Sequence, residues 1–358
     1  MRRKLAAIVA GAMMVGSVSA NDIKMSPVFD VSYMHSDAFT TAGINEGQYF
    51  NDRDDLDVQY AGIDFSGSSK SLSWTLGVNF AGEASNTIGT PKFIDQAFMS
   101  YAVNDNLTFV AGRFYSFFGY EVARSYGDWN YTKSMVKTIS PVWHEGVGAT
   151  WDAKNGFVGS VFLVDGISNS EDSVNGTDTQ SSKKGLGATV SYAMDKWKAE
   201  FDYYTHATRG HDTGDTTHMA FNFKYDFNDK FAAALAAQQG TVEGTSGNEG
   251  EYASYAAYLK FQATEKFFAA LRYEMLSEEN KGSGSMPYAG NLSGNSAITG
   301  NEHDIDSITL TGGYDLMNGS QIKLEYRMDS ADKKVYRLSD GTTDDSNNTI
   351  ALAWLFSY

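Results

Sequence analysis

The 358-residue chain has no cysteine, only four prolines and only six histidines. Without cysteine there is no disulfide framework, no thiolate metal site and no acylated N-terminal cysteine of a lipoprotein. Basic residues are in deficit: 28 Lys and Arg stand against 44 Asp and Glu, a formal net charge of −16. Such a chain lacks the basic face that phosphate contacts require, which excludes nucleic acid as a partner. Long apolar runs are also missing. After the first 20 residues no stretch approaches the roughly 20 apolar residues that a helix needs to cross a bilayer. No Walker, dinucleotide or zincin motif is present, and no serine stands in a nucleophile context. What the chain does have is aromatic side chains, 22 Phe, 21 Tyr and 6 Trp, in a composition that is 42% hydrophobic. That composition excludes disorder.

Residues 1–20 read as a cleaved secretory signal. Arg2, Arg3 and Lys4 form its charged end, Leu5 to Val18 is apolar and small, and Val18-Ser19-Ala20 is the small-residue cleavage site. The alternative is an anchoring N-terminal helix. Arg2-Arg3 alone does not make a twin-arginine signal, whose flanks are absent. Loss of three cations would take the mature chain, 21–358, from −16 to −19. The expected location is the bacterial envelope.

Along the mature chain the dominant period is two, the signature of strands. Leu72, Trp74, Leu76, Val78 and Phe80 alternate with small or polar residues. So do Trp197, Ala199, Phe201 and Tyr203, and likewise Ile322, Leu324, Tyr326 and Met328. Sixteen candidate strands follow, near 27–36, 57–66, 71–81, 93–103, 107–114, 145–152, 157–164, 185–194, 197–204, 217–227, 231–239, 251–263, 267–276, 304–314, 321–329 and 348–358. Val58, Tyr60, Ile63 and Phe65 switch parity within the second, which predicts a bulge. Connections after even strands are short and rich in turn residues, such as Asn104-Asp105-Asn106 and Asn155-Gly156. Those after odd strands are long, polar and acidic. A soluble sandwich has no reason to place every long connection at one end. A closed, antiparallel, all-β transmembrane barrel of about 16 strands does, with short periplasmic turns and long extracellular loops. Closing the sheet satisfies its backbone groups within lipid.

Aromatic pairs flank successive short turns: Trp151 with Phe157, Tyr192 with Trp197, Phe227 with Phe231, and Phe261 with Phe267. Together they predict an interfacial girdle, and lipid with lipopolysaccharide as the surroundings. At the C-terminus Ile350, Leu352, Trp354, Phe356 and Tyr358 alternate to the last residue. This resembles the terminal strand that the barrel-assembly machinery reads in outer-membrane proteins, with Tyr358 where that pattern more often has Phe.

The segment 112–152 is the most distinctive. It carries Gly112-Arg113-Phe114-Tyr115, Phe118-Gly119-Tyr120-Glu121, Trp129-Asn130-Tyr131-Thr132-Lys133-Ser134, Pro141-Val142-Trp143-His144 and Gly146-Val147. In this order it resembles the OmpL-like family of β-barrel porins. More loosely it resembles general Gram-negative diffusion porins, whose fifth strand ends in a similar Gly-Arg-x-Tyr. That second resemblance implies that Arg113 lines a constriction and that Glu121 lies near the acidic residue of an inward-folded loop, although Tyr120-Glu121 stands where the pattern has Gly-Asp. It also implies a homotrimer. The residues themselves point the same way for loop 115–144. It is the longest connection, and Tyr115, Phe117, Phe118, Tyr120, Tyr126, Trp129 and Tyr131 would be costly to leave in water. Folded inward it would be the constriction loop, with Glu121 and Asp128 facing Arg113. The alternative is an extracellular lid.

If the apolar parity faces lipid, the inner wall carries Lys198, Lys224, Lys260, Arg272, Lys323 and Arg327, together with Glu200, Asp202, Asp226, Glu274 and Glu325. Lys or Arg facing lipid at midplane would cost about 2–4 kcal/mol. Such charges either select ions or pair across strands. His206, His211, Asp212, Asp215 and His218 could bind a metal or act as acid and base on a rim loop, but their spacing fits no ligand motif. The expectation is therefore a non-enzymatic channel, with neither cofactor nor metal, for passive diffusion of small hydrophilic solutes and ions. The alternatives are an adhesion or receptor barrel acting through its loops, and a rim hydrolase.

Overall fold

The computed structural model describes residues 23–38, 55–80, 94–164, 184–207, 215–243, 249–280, 302–317, 319–338 and 340–358. The predicted signal segment, His211 and Asp212 lie outside them, as do most residues of the acidic long connections.

Sixteen antiparallel strands close into one barrel. In chain order they begin β1 (Lys24–Ser36), β2 (Asp55–Ser69), β3 (Leu72–Asn79), β4 (Ile94–Ala102), β5 (Leu107–Tyr115), β6 (Trp143–Asp152), β7 (Phe157–Val164) and β8 (Gly185–Met194). They continue with β9 (Trp197–Ala207), β10 (Asp215–Asp226), β11 (Phe231–Glu243), β12 (Glu249–Gln262), β13 (Phe267–Asn280), β14 (Glu302–Met317) and β15 (Ser320–Ala331). A two-stranded hairpin follows, β16 (Tyr336–Arg337) and β17 (Thr343–Asp344), and then the last barrel strand, β18 (Ser346–Ser357). Every strand pairs with its sequence neighbours in the wall, and β18 closes on β1, with Phe29 opposite Phe356 and Tyr33 opposite Leu352. Among the described residues no helix is long and apolar enough to cross a membrane.

All sixteen candidate strands are present. The differences lie at their ends, mostly toward the long connections. The segment read as 267–276 runs to Asn280, because Ser277-Glu278-Glu279-Asn280 continues the ladder after the apolar alternation has stopped. Periodicity reports the lipid-facing height of a strand, and hydrogen bonding continues beyond it. The predicted bulge in β2 falls at Gln59: Asp30 pairs with Tyr60 and Val31 with Val58. Val58 therefore stays on the outer face, 43% exposed, while Tyr60 turns inward and is buried. A second bulge, in β4, leaves Asp95 unpaired between Gln96, opposite Gly77, and Ile94, opposite Val78.

The outer wall is apolar. Phe29, Leu76, Met99, Val147, Val161, Leu235, Leu259, Leu310, Leu324 and Leu352 all project from it. The girdle pairs flank the short turns as expected, with Trp151 on Phe157 at 6.1 Å and Tyr192 on Trp197 at 5.6 Å between ring centres. Two of the short turns place a lysine in the left-handed region, Lys70 at φ 54° and Lys154 at φ 62°. At the opposite end the β16–β17 hairpin folds inward. Val335 and Tyr336 pack there with Met135, Tyr252, Leu276 and Ile305.

Candidate functional site

Residues 116–142 leave the end of β5, enter the barrel and return to β6. They hold a single 3-10 turn at Ser125–Gly127 and a short helix α1 (Met135–Ile139). The Ser134 side chain caps α1 by accepting from the Lys137 backbone N–H at 3.1 Å. Phe117, Phe118, Tyr131 and Met135 are buried, Met135 completely. Burying side chains of this size stabilises by about 1.5–3 kcal/mol each, which opposes the cost of ordering the segment.

Polar wall residues of β13 and β15 meet the segment's backbone. The Arg272 guanidinium donates to the Thr132 carbonyl at 2.6 Å and to Glu121 at 3.0 Å, and its Nε lies 2.7 Å from Glu274. Lys323 Nζ donates to the carbonyls of Ser125 and Asp128 at 2.7 and 2.6 Å. Arg327 donates to the Lys133 carbonyl at 2.9 Å. The carboxylates do the converse. Glu325 accepts from the N–H groups of Tyr131 and Thr132 at 2.6 and 2.8 Å, and Glu274 accepts from the Met135 N–H at 2.8 Å. Wall cations thus take the segment's carbonyls and wall anions its amides, so backbone taken out of water is satisfied by charge-assisted bonds.

The opposite wall holds the segment through Arg124. Its guanidinium lies 2.5 Å from Asp64 and 3.0 Å from Asp95, donates to the hydroxyls of Tyr60 and Tyr115, and stands 4.6 Å from the Tyr60 ring centre. Tyr115 also bonds Asp95, and the Trp143 indole donates to the same carboxylate at 3.1 Å. The β2 and β4 bulges supply Tyr60 and Asp95 to this cluster, re-aiming side chains that a regular strand would direct elsewhere.

A third contact is aromatic. Phe117 stacks on Phe162 at 4.2 Å and on His144 at 4.5 Å. Phe118 meets His218 edge-on at 5.9 Å. Gly187 makes the close approach of Phe117 to β8 feasible: a Cβ there would lie 2.1 Å from the Phe117 ring. The Gly119 N–H donates to Asp202 at 3.1 Å and the Ser140 hydroxyl to Gln238 at 3.1 Å. The segment is therefore bonded to opposite sides of the lumen.

The predicted lumen residues divide. Glu121, Asp128, Arg272, Glu274, Lys323, Glu325 and Arg327, read from the sequence as lining the lumen, come together in the buried interface that seats the segment. Asp202 and Glu200 are buried as well. Lys198 and Lys224 keep 23% and 21% of their side-chain surface. The pairing expected for Arg113 is corrected. Its guanidinium bonds Glu145 on the neighbouring strand at 3.1 Å and lies 5.0 Å from the Trp143 ring, while Glu121 takes Arg272, and Asp128 takes Lys133. A cross-strand carboxylate directly opposite Arg113 outcompetes one on the segment. His218 is also corrected: it lies inside the barrel on β10, within 2.5 Å of the Tyr252 hydroxyl, and not on a rim loop. Among the described residues no group of three or more His, Asp or Glu is placed to hold a metal ion.

Sequence reasoning missed Arg124, Lys133 and Asp95. The signal for Arg124 was present, since an arginine amid the aromatic residues of an inward loop needs a carboxylate partner. Asp95 carried no signal, because only the bulge register turns it inward.

Burial alone would raise the Glu121 carboxyl, and the Arg272 guanidinium and Lys133 ammonium beside it hold it below its ordinary value. Lys137 is pushed down to about 8 by burial.

A family profile described as "Putative beta-barrel porin-2, OmpL-like" matches residues 77–358. No curated protein is significantly similar in sequence. Solved structures share the fold at low identity. The outer membrane channel DcaP of Acinetobacter baumannii is 15% identical with a TM-score of 0.65, over 96% of this chain and 100% of that one. OmpT of Vibrio cholerae in a trimer form is 11% identical with a TM-score of 0.62, over 95% and 100%. Salmonella typhi OmpF in complex with daunomycin is 16% identical with a TM-score of 0.61, over 95% and 98%.

Proposed function

The chain belongs to the OmpL-like beta-barrel porin-2 family, and from that premise we propose that it lets small hydrophilic solutes and ions diffuse passively across the outer membrane. One observation carries the reading: a closed sixteen-stranded wall is apolar outside, while its interior is lined by Lys, Arg, Asp and Glu. Barrels of this size enclose an aqueous lumen, whereas eight-stranded ones fill with side chains. Segment 116–142 is the constriction loop of this reading. Conductance in planar bilayers, with the reversal potential in a salt gradient, tests it. Stepwise current is the expected result, and a silent bilayer from folded protein overturns it.

In the same reading residues 1–20 direct export, the short turns face the periplasm, and Trp354, Phe356 and Tyr358 present the assembly signal. The protein works as a homotrimer through its lipid-side wall. The trimer form of the Vibrio cholerae relative supports this. A monomeric mass in mild detergent would count against it.

A second reading draws on the seating of segment 116–142 against both sides of the lumen. A segment held in this way suits an adhesion or receptor barrel whose loops bind a partner and whose pore is incidental. Conductance separates the two.

A further inference from the structure

Lys198 on β9 and Lys224 on β10 are direct cross-strand partners near the short-turn end. Like charges so placed repel, and each ammonium turns to its own strand. Lys198 Nζ lies 2.7 Å from Glu200, and Lys224 Nζ lies 3.5 Å from Asp226. One partner is two residues up its strand and the other two residues down, so the lysines diverge and leave a gap. Tyr120 and Trp129 of the inserted segment close the far side of that gap. Lys224 Nζ is 5.8 Å from the Trp129 ring centre, and the two rings meet edge-to-face at 6.3 Å. The result is a recess of about 70 Å³.

Asn222 lines the same recess. It is 5% exposed, and its amide nitrogen donates to Asp202 at 3.0 Å. That bond fixes the amide orientation and leaves Oδ1 as a buried acceptor with no partner. An orphaned acceptor costs free energy unless a donor arrives.

We propose that this recess binds a sugar acid: a pyranose ring stacked on Trp129, its carboxylate bridging Lys198 and Lys224, and a ring hydroxyl donating to Asn222 Oδ1. Two ammoniums match one carboxylate. Glu200, Asp226 and Asn222 match hydroxyl donors, and the indole face matches the C–H face of the ring. The assignment deepens the channel reading and rests on it for its role in transport.

Glucuronate, glucose and glucosamine share a ring and differ in charge, which makes them suitable probes. Tryptophan fluorescence of the full protein in detergent should saturate with glucuronate at about one tenth of the concentration needed for glucose, as two partly exposed ammoniums allow. Glucosamine should be weakest. Lys198→Gln and Lys224→Gln should each reduce the glucuronate preference about threefold, and Asn222→Val should weaken glucose and glucuronate alike. Lys154→Gln, on an exposed turn, should change nothing. Equal affinity of the wild type for all three sugars overturns the site, as does a preference that survives both lysine variants in heat-modifiable, folded protein. Binding without bilayer conductance would overturn the channel and keep the site. Conductance without the preference would do the reverse.

Discussion

Arg272 of β13 and Glu121 of the inserted segment form a 3.0 Å ion pair, both side chains shut off from solvent, across 151 positions of sequence. Removing one partner of such a pair leaves a buried charge unmatched, a loss of about 3–5 kcal/mol. Arg272→Ala should therefore unseat the segment, raise single-channel conductance and expose Arg124 and Lys133 to trypsin. Arg272→Lys should rescue poorly, because a lysine cannot reproduce the fork that reaches Glu121 and Thr132 together. Unchanged proteolysis in Arg272→Ala would place the seating elsewhere.

Arg124 and Arg113 make a contrasting pair. Arg124→Gln removes the clamp to Asp64 and Asp95 and should alter conductance and lower the unfolding temperature. Arg113→Ala removes a pair with the exposed Glu145, worth about 0.2–1 kcal/mol, and a contact with the Trp143 ring, and should leave conductance within error. Bilayer recordings on both variants check this, and a larger change in Arg113→Ala would reverse the assignment.

Gly187→Val should push Phe117 off the Phe162 and His144 rings, at about 1–3 kcal/mol for overpacking. Phe117→Leu in the same chain should recover part of that loss. Thermal unfolding of the two single variants and the double one reads the coupling, and strict additivity would mean the two positions do not touch.

Lys137 contributes to the pH dependence. Its ordinary pKa of 10.5 falls to about 8 inside the protein because burial disfavours the ammonium. The unfolded chain thus holds more protons between these values, so stability should rise with pH from about 8 toward 10.5 and be flat below 8 with respect to this group. Lys137→Met should raise the unfolding temperature at neutral pH and make the alkaline rise smaller. Unfolding curves from pH 7 to 10 measure both effects, and a rise of unchanged size in Lys137→Met would show that this group contributes none of it.

The wall was legible in the sequence because its cause is local. A residue facing lipid must be apolar, and this repeats every second position, so Leu72 to Phe80 or Ile350 to Tyr358 declare their strands unaided. The Gln59 bulge was legible for the same reason: the parity slips between Val58 and Ile63. The inward path of 116–142 could be read from aromatics that water would not tolerate. The partners inside were not legible. Whether Glu121 meets Arg113 or Arg272 depends on which wall the segment reaches, and nothing near Glu121 encodes a neighbour 151 positions away. Likewise Asp95 reads as an ordinary strand carboxylate until a bulge on its own strand turns it toward Arg124.

The seating of 116–142 also sets an order of events in the making of the barrel. Lys323 lies 198 positions after Ser125, and Glu325 lies 194 after Tyr131. A chain delivered from its N-terminus presents this segment long before β13, β14 and β15 exist to receive it, and such distant contacts form late. Until then the backbone groups of Ser125 to Met135 that bond β13 and β15 lack those partners. Closure of β18 on β1 and seating of the segment therefore belong to one final step. A barrel arrested before β15 is marked as unfinished by an open, cleavable stretch at its fifth connection.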